Sequence, residues 1–368
     1  MHTNHDLPKP EGLFERIIQF SIQNAIWVML FVCTWIAVGV YSYQKLPIDA
    51  VPDITNTQVQ INTQANGFTA LEVEQRITYP IETAMAGIPD LQLTRSISRY
   101  GLSQVTIVFQ DGTDIYWARQ QINQRVQEVK ADLPSDVSPT MSPVSTGLGE
   151  IYQWVIKAEP NARKADGTTY SAMDLREIQD WIVRPQLQRV AGVAEVNSIG
   201  GFNKTYVVAP DLNRMQQLNI SLSQLQTALQ ENNENRGAGY IEENGQQLTV
   251  RVPGTLNSLA DIENTTVASP NGNPIRVADI AQVSIDHDLR TGGATYNGEE
   301  TVLGIAMMMM GENSRTVSKA VDAKIQEVQS SLPQGVTIET VYDRTTLVEK
   351  AIKTVQKNLV EGAILVIV

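Results

Sequence analysis

Three short stretches of this chain gather side chains that could share a ligand. Asp286-His287-Asp288 offers two carboxylates and an imidazole, a donor set that divalent zinc or cobalt accepts. On a strand, alternation puts the two aspartates on one side and the histidine on the other, so the competing reading is a solvated strand end. Met307 to Met310 offers four thioethers, which suit monovalent copper or silver. Alternation again separates Met307 and Met309 from Met308 and Met310, which favours packing in a core or interface. The third stretch is Ser145-Thr146-Gly147-Leu148-Gly149-Glu150-Ile151-Tyr152. Its glycines let the backbone come close to whatever passes, and Glu150 is a carboxylate able to attract a cation. Two readings stand: the wall of a cleft, with Ser145, Thr146 and Glu150 along a substrate path, or a linker entering a strand. His2 and His5 have a spacing that could share a helical face, but they read as part of a disordered tip.

Little else suggests chemistry. No hydrolase triad, phosphate-cradling loop or dinucleotide fingerprint is recognisable, so no enzymatic activity and no bound cofactor are expected. The 368 residues carry 28 basic and 40 acidic side chains, a formal net charge of −12, which excludes the basic field that nucleic acid requires. A single cysteine, Cys33, excludes an intramolecular disulfide framework and a thiolate-rich zinc site. The length allows two or three domains.

The elements that would position these residues begin at a membrane. From Ile17 to Gln44 there is no charged residue, and 25–43 is a continuous apolar run long enough to cross a hydrocarbon core of about 30 Å. It is longer than a signal peptide's apolar stretch, and its leader contains Asp6, Glu11 and Glu15, so it reads as an uncleaved transmembrane helix. Before it, Leu13, Phe14, Ile17, Ile18 and Ile22 recur at helical spacing, as an interfacial amphipathic helix requires. Lys9 and Arg16 precede the span and only Lys45 follows it before Arg76, which places the N-terminus in the cytoplasm and the bulk outside it. At the far end, a helix from Thr345 runs into the apolar stretch 359–368, whose seven uncharged residues after Glu361 rise only about 10 Å. A second span is expected to start here, in the front piece of a longer membrane protein.

Between these ends the sequence repeats itself. Ile77-Thr78-Tyr79-Pro80 leading to Ala86-Gly87 matches Ile182-Val183-Arg184-Pro185 leading to Ala191-Gly192. Gly112, Gln127-Glu128-Val129 and Leu133-Pro134 match Gly311, Gln326-Glu327-Val328 and Leu332-Pro333 at one offset. The first copy predicts strand 57–64, helix 70–86, strands 92–98 and 104–109, helix 114–131 and a strand near 137–143, the βαββαβ order of a ferredoxin-like sandwich. The second predicts strand 151–158 and helix 174–190, and resumes with strand 301–310, helix 314–331 and strand 336–341. The interruption predicts a strand at 205–208, helices near 212–217 and 222–232, and a hairpin from Gly237 turning at Asn244-Gly245 into 248–252. The expected fold class is α+β: residues 1–46 tip and first span, 47–143 first sandwich, 144–200 with 291–342 second sandwich, 201–290 inserted domain, and 343–368 helix entering a second span.

This layout resembles the inner-membrane pumps of the resistance-nodulation-division superfamily, heavy-metal branch, most like the cobalt-zinc-cadmium efflux proteins. The resemblance is carried by Leu46-Pro47-Ile48-Asp49-Ala50-Val51-Pro52-Asp53-Ile54-Thr55-Asn56, by 145–152 above, and by Gly237-Ala238-Gly239-Tyr240-Ile241-Glu242. Gly311-Glu312-Asn313-Ser314-Arg315 and Val341-Tyr342-Asp343-Arg344-Thr345 add to it. It implies two porter subdomains, the first with a helix at a trimer axis, and a docking domain whose arm reaches a neighbouring subunit. It also implies export of a divalent cation (zinc, cobalt or cadmium) in exchange for protons. The implied partners are the lipid bilayer, a homotrimer of the full-length pump, a periplasmic adaptor and an outer-membrane channel. The one span present has no ionisable residue, so no proton relay is assigned within it. Two rivals share the layout: a membrane-anchored extracytoplasmic binding or scaffold module, and an organic-compound pump, against which the aromatic content of 6% argues.

Overall fold

The computed structural model describes residues 12–45, 55–145, 147–234, 236–243, 246–252, 254–288, 290 and 292–367. Helices α1 (Leu13–Gln23) and α2 (Ala25–Lys45) come first. Within α2, Ala25–Ser42 has a mean hydropathy of 2.0 and no buried residue, and it is the one helix among the described residues long and apolar enough to cross a membrane. Ile26, Trp27 and Trp35 are all exposed, as a lipid-facing surface requires.

The first soluble module is β1 (Gln58–Gln64), a helix α3 (70–85), β2 (Leu91–Arg99), β3 (Leu102–Phe109), α4 (Ile115–Val129) and β4 (Ser138–Met141). The strands form one antiparallel sheet in the order β2-β3-β1-β4. On β1, Val59, Ile61 and Thr63 are buried while Gln58, Gln60 and Asn62 point the other way, the period-two pattern of a sheet covered on one face. The covered face meets Ile77, Ile81 and Met85 of α3 and Ile122 of α4 in one hydrophobic core.

Helix α3 is built from Ala70–Val73, a π-turn at Glu74–Thr78 and Tyr79–Met85. Thr69 starts it: its hydroxyl accepts from the Glu72 N–H, and the Glu72 carboxylate accepts from the Thr69 N–H, a closed capping box. Pro80 has no N–H to give, so the ladder slips one residue and the Tyr79 N–H reaches the Glu74 carbonyl. The same device returns in α5 (Ala172–Ile178, π-turn Gln179–Val183, Arg184–Leu187), where Ser171 and Asp174 close the box and the Arg184 N–H reaches the Gln179 carbonyl ahead of Pro185.

The second sheet contains β5 (Glu150–Ala158), β6 (Val193–Gly200), β13 (Ala294–Tyr296), β14 (Glu299–Met308) and β15 (Val336–Asp343), with α10 (Ser314–Gln329) before the last strand. Pairing runs β6-β14-β5-β15, the order of the first sheet, with β13 added against the start of β14. Gly87 and Gly192 both close their helix in the left-handed region, at φ +79° and +85°, and Gly112 and Gly311 sit at +87° and +84°. The repeat in the sequence is thus a repeat in backbone conformation.

Between β6 and β14 lie β7 (Lys204–Pro210), α6 (Leu212–Gln217), α7 (Leu222–Glu231), β8 (Arg236–Glu243), β9 (Gln246–Val252), α8 (Leu259–Asn264), β10 (Thr266–Ala268), β11 (Ile275–Arg276), α9 (Val277–Ile280) and β12 (Ala281–His287). This segment has a core of its own around Met215, Leu225, Val277 and Ile280. The pairing of β7 with β12 was not legible in the sequence, because the partners lie far apart along the chain and neither alternates cleanly. The hairpin β8–β9 is present, its expected turn at Asn244-Gly245 lying outside the described residues. Helix α11 (Arg344–Ile367) follows β15 directly and ends in exposed Leu359, Leu365 and Val366. Two compact units emerge: the described residues of Met1–Val144, Met309–Lys319 and Arg344–Val368, and those of Ser145–Met308 and Ala320–Asp343.

Candidate functional site

Glu150 is the first residue of β5, and its exposed carboxylate owes its direction to a bulge. Tyr152 faces Ala306 of β14, but Glu150, not Ile151, faces Met307, so Ile151 is the extra residue. Without it, Glu150 would share the covered face with Tyr152; the bulge turns it to the opposite face, where Gln153 Nε2 donates to Glu150 Oε2 at 3.1 Å. A short 3₁₀ turn, Gly147–Gly149, leads into the strand. A Cβ on Gly149 would lie 3.1 Å from the Met308 carbonyl oxygen, so glycine lets the incoming chain lie against β14. Ser145 is half-buried just before this turn; Thr146 lies outside the described residues.

Behind Glu150 the strand is pinned from below. Tyr152 is buried, and its hydroxyl donates to Asp322 Oδ1 of α10 at 2.6 Å and lies 2.8 Å from Thr340 Oγ1 of β15. Burial first, then the bond to Asp322, pushes the phenol well above its usual value, so it stays a proton donor. Trp154 is fully buried and its indole N–H donates to Gln179 Oε1 at 3.0 Å, within the π-turn of α5. Opposite it stands Gly304, where any Cβ would fall 2.2 Å from the indole ring.

Register adds a residue that sequence reading missed. Met307 faces Glu150 on one side and Glu195 of β6 on the other, so carboxylate, thioether and carboxylate form one row across three strands. The outer two lie roughly 10 Å apart by strand spacing. Such a row attracts divalent cations through oxygen and tolerates softer ones through sulfur. No local signal could have singled out Glu195, since its relevance comes from pairing with a strand more than a hundred residues away.

The other two stretches are laid out differently from their expected strands. Strand β14 ends at Met308, not Met310, with an irregularity between Met307 and Met308. Met308 is buried, whereas Met309 is exposed and Met310 donates its N–H to the Val144 carbonyl at 3.1 Å. Strand β12 ends at His287, so Asp288 leaves the strand; its carboxylate accepts from Asn203 Nδ2 at 2.7 Å. The His287 ring lies 4.6 Å from the Phe202 ring, with Nδ1 2.9 Å from the Asp288 carbonyl oxygen and Nε2 3.8 Å from Asp286 Oδ1. Among the described residues, no three His, Cys, Asp or Glu side chains are grouped so as to hold a metal ion. His2 and His5 lie outside the described residues.

Residues 17–368 match the model of the AcrB/AcrD/AcrF family. The chain is 60% identical over 356 residues to the "Cobalt-zinc-cadmium resistance protein CzcA" of Cupriavidus metallidurans, covering 97% of this chain and 34% of that protein. It is 36% identical over 361 residues to the "Cation efflux system protein CusA" of Escherichia coli K12, covering 97% of this chain and 34% of the relative. The crystal structure of a heavy metal efflux pump superposes with a TM-score of 0.84 at 33% identity, covering 95% of this chain and 34% of that one. The chain thus spans about a third of the length of the curated relatives it matches.

Proposed function

The chain belongs to the AcrB/AcrD/AcrF family, and on that premise we propose that it is the N-terminal part of a proton-driven heavy-metal cation efflux transporter of the inner membrane. The observation that carries this reading is 60% identity, across 97% of the chain, to a cobalt-zinc-cadmium resistance protein. In this reading α2 anchors the chain with its N-terminus in the cytoplasm, the soluble units stand in the periplasm, and α11 leads into a second span.

The shared strand order supports two ferredoxin-like porter subdomains at 47–143 and at 144–200 with 291–342. The separate core between β6 and β14 supports a docking-type insertion at 201–290. The complete transporter works as a trimer with a periplasmic adaptor and an outer-membrane channel. Zinc, cobalt or cadmium is its substrate rather than a resident cofactor, and the chain is no enzyme. Ser145, Thr146 and Glu150 line the cation's path, with Glu195 as a second carboxylate; Asp286, His287 and Asp288 form a lesser, surface contact for the same cations.

The test is growth. In a host lacking exporters of this class, the complete transporter carrying this chain is expected to raise tolerance to zinc, cobalt or cadmium severalfold. Tolerance equal to that of the empty host for every cation tried would contradict the reading.

A further inference from the structure

The segment between β6 and β14 joins the second sheet through a two-stranded ribbon, β7 paired with β12 along seven residues from Lys204–His287 to Pro210–Ala281. Among the described residues the ribbon is part of no larger sheet, so its direction depends on its foot. At that foot Gly200 and Gly201 are both left-handed, at φ +80° and +66°. A Cβ on Gly200 would lie 2.6 Å from the Thr301 carbonyl oxygen, and one on Gly201 2.7 Å from Val302 Cγ2.

Charges tie both limbs down. Arg176 of α5 donates through Nη1 to the Gly200 carbonyl at 2.7 Å and through Nε to Asp180 at 2.6 Å. The other Asp180 oxygen accepts from Ser198 Oγ at 2.6 Å. Lys204, at the start of β7, pairs with Glu177 at 3.3 Å. On the returning limb Arg290 pairs with Glu300 of β14 at 2.5 Å and lies 5.1 Å from the Phe202 ring centre. The limbs are tied to each other where the Asp288 N–H donates to the Asn203 carbonyl at 3.1 Å.

We propose that this neck is an electrostatic latch: two ion pairs, Lys204–Glu177 on one limb and Arg290–Glu300 on the other, together with the Arg176 bond to the Gly200 carbonyl, fix the resting direction of the ribbon and of everything it carries. The paired side chains are between 29% and 44% exposed, so salt reaches them. One such pair on its own contributes little, but pairs on both limbs of one lever act on the same coordinate. The latch uses none of the residues in the Glu150 row, and its test is independent of transport.

The test is a distance distribution between spin labels on Gln282 of β12 and Gln326 of α10, both exposed, in the full chain with Cys33 replaced by alanine. The expected result is one narrow distribution that at least doubles in width, by rough expectation, in Glu177→Gln combined with Glu300→Gln. The otherwise unsubstituted chain should broaden likewise when salt rises from about 0.05 M to about 1 M. Arg125→Gln, which removes the Arg125–Glu128 pair of α4 in the first module, should leave the distribution narrow. A distribution indifferent to salt and to the double substitution overturns the latch, as does equal broadening by Arg125→Gln. Should the double variant fold poorly, Glu300→Gln alone and the salt series decide in the same way.

Discussion

At the scale of single residues, Glu150 shows how far types and spacing reach. Its carboxylate among glycines was legible as a place where a cation could be met; its direction was not. That direction comes from Ile151 standing as an extra residue against β14, a feature of pairing with a strand about 150 residues on. In the complete transporter Glu150→Gln is expected to lower zinc export severalfold, read from loss of cell-associated metal after a zinc load, and unchanged export would remove Glu150 from the path. Glu195→Gln should lower export in the same assay as well, because Glu195 stands across Met307 from Glu150 in the same row. Gly304 makes a prediction about stability instead. Its Cβ has no place beside the Trp154 ring, so Gly304→Ala should destabilise the chain by about 1–3 kcal/mol, seen as a lowered denaturation midpoint. A midpoint equal to that of the unsubstituted chain would mean that Trp154 can move aside.

At the scale of elements, most helices and strands of both modules could be located because apolar spacing, prolines and glycines all pointed the same way. Ends were harder. Helix α5 was expected from Asp174, but its cap is Ser171, whose hydroxyl and N–H both bond Asp174. The residue that looked like the start is the third position of a capping box. Burial would push the Asp174 carboxyl up, yet the Ser171 bonds and Lys164 outweigh it and hold it below the usual aspartate range. A carboxyl depressed on folding stabilises the fold above its unfolded value, near pH 4, and that contribution fades as pH falls through the folded value. Asp174→Asn should therefore cost stability at neutral pH and shrink the loss between pH 6 and about pH 3. Urea midpoints at the two pH values would show it; an identical pH dependence in both proteins would contradict the assignment. The π-turns were illegible for another reason: proline announces a break in the ladder, but not whether the chain kinks or slips by one residue.

At the scale of the molecule, an apolar helix is joined to two modules of one strand order, the second interrupted by a segment with its own core. Self-comparison of the sequence exposed the duplication because the glycines that must be left-handed and the prolines that interrupt helices recur at fixed offsets. The internal architecture of the interruption was less legible, since β7 finds its partner β12 by a long chain return and β10 and β11 are only three and two residues long. The proposed latch of the ribbon belongs to this scale too, because its ion pairs matter only through the segment they orient.

The central claim is cation export, and flux across a membrane tests it most directly. With the complete transporter carrying this chain reconstituted in proteoliposomes and a zinc-sensitive dye marking the metal, an imposed proton gradient is expected to drive zinc across the bilayer. Dissipating the gradient should stop that movement. Zinc, cobalt and cadmium that all stay where they were placed, with the gradient intact and the protein folded, would contradict the account.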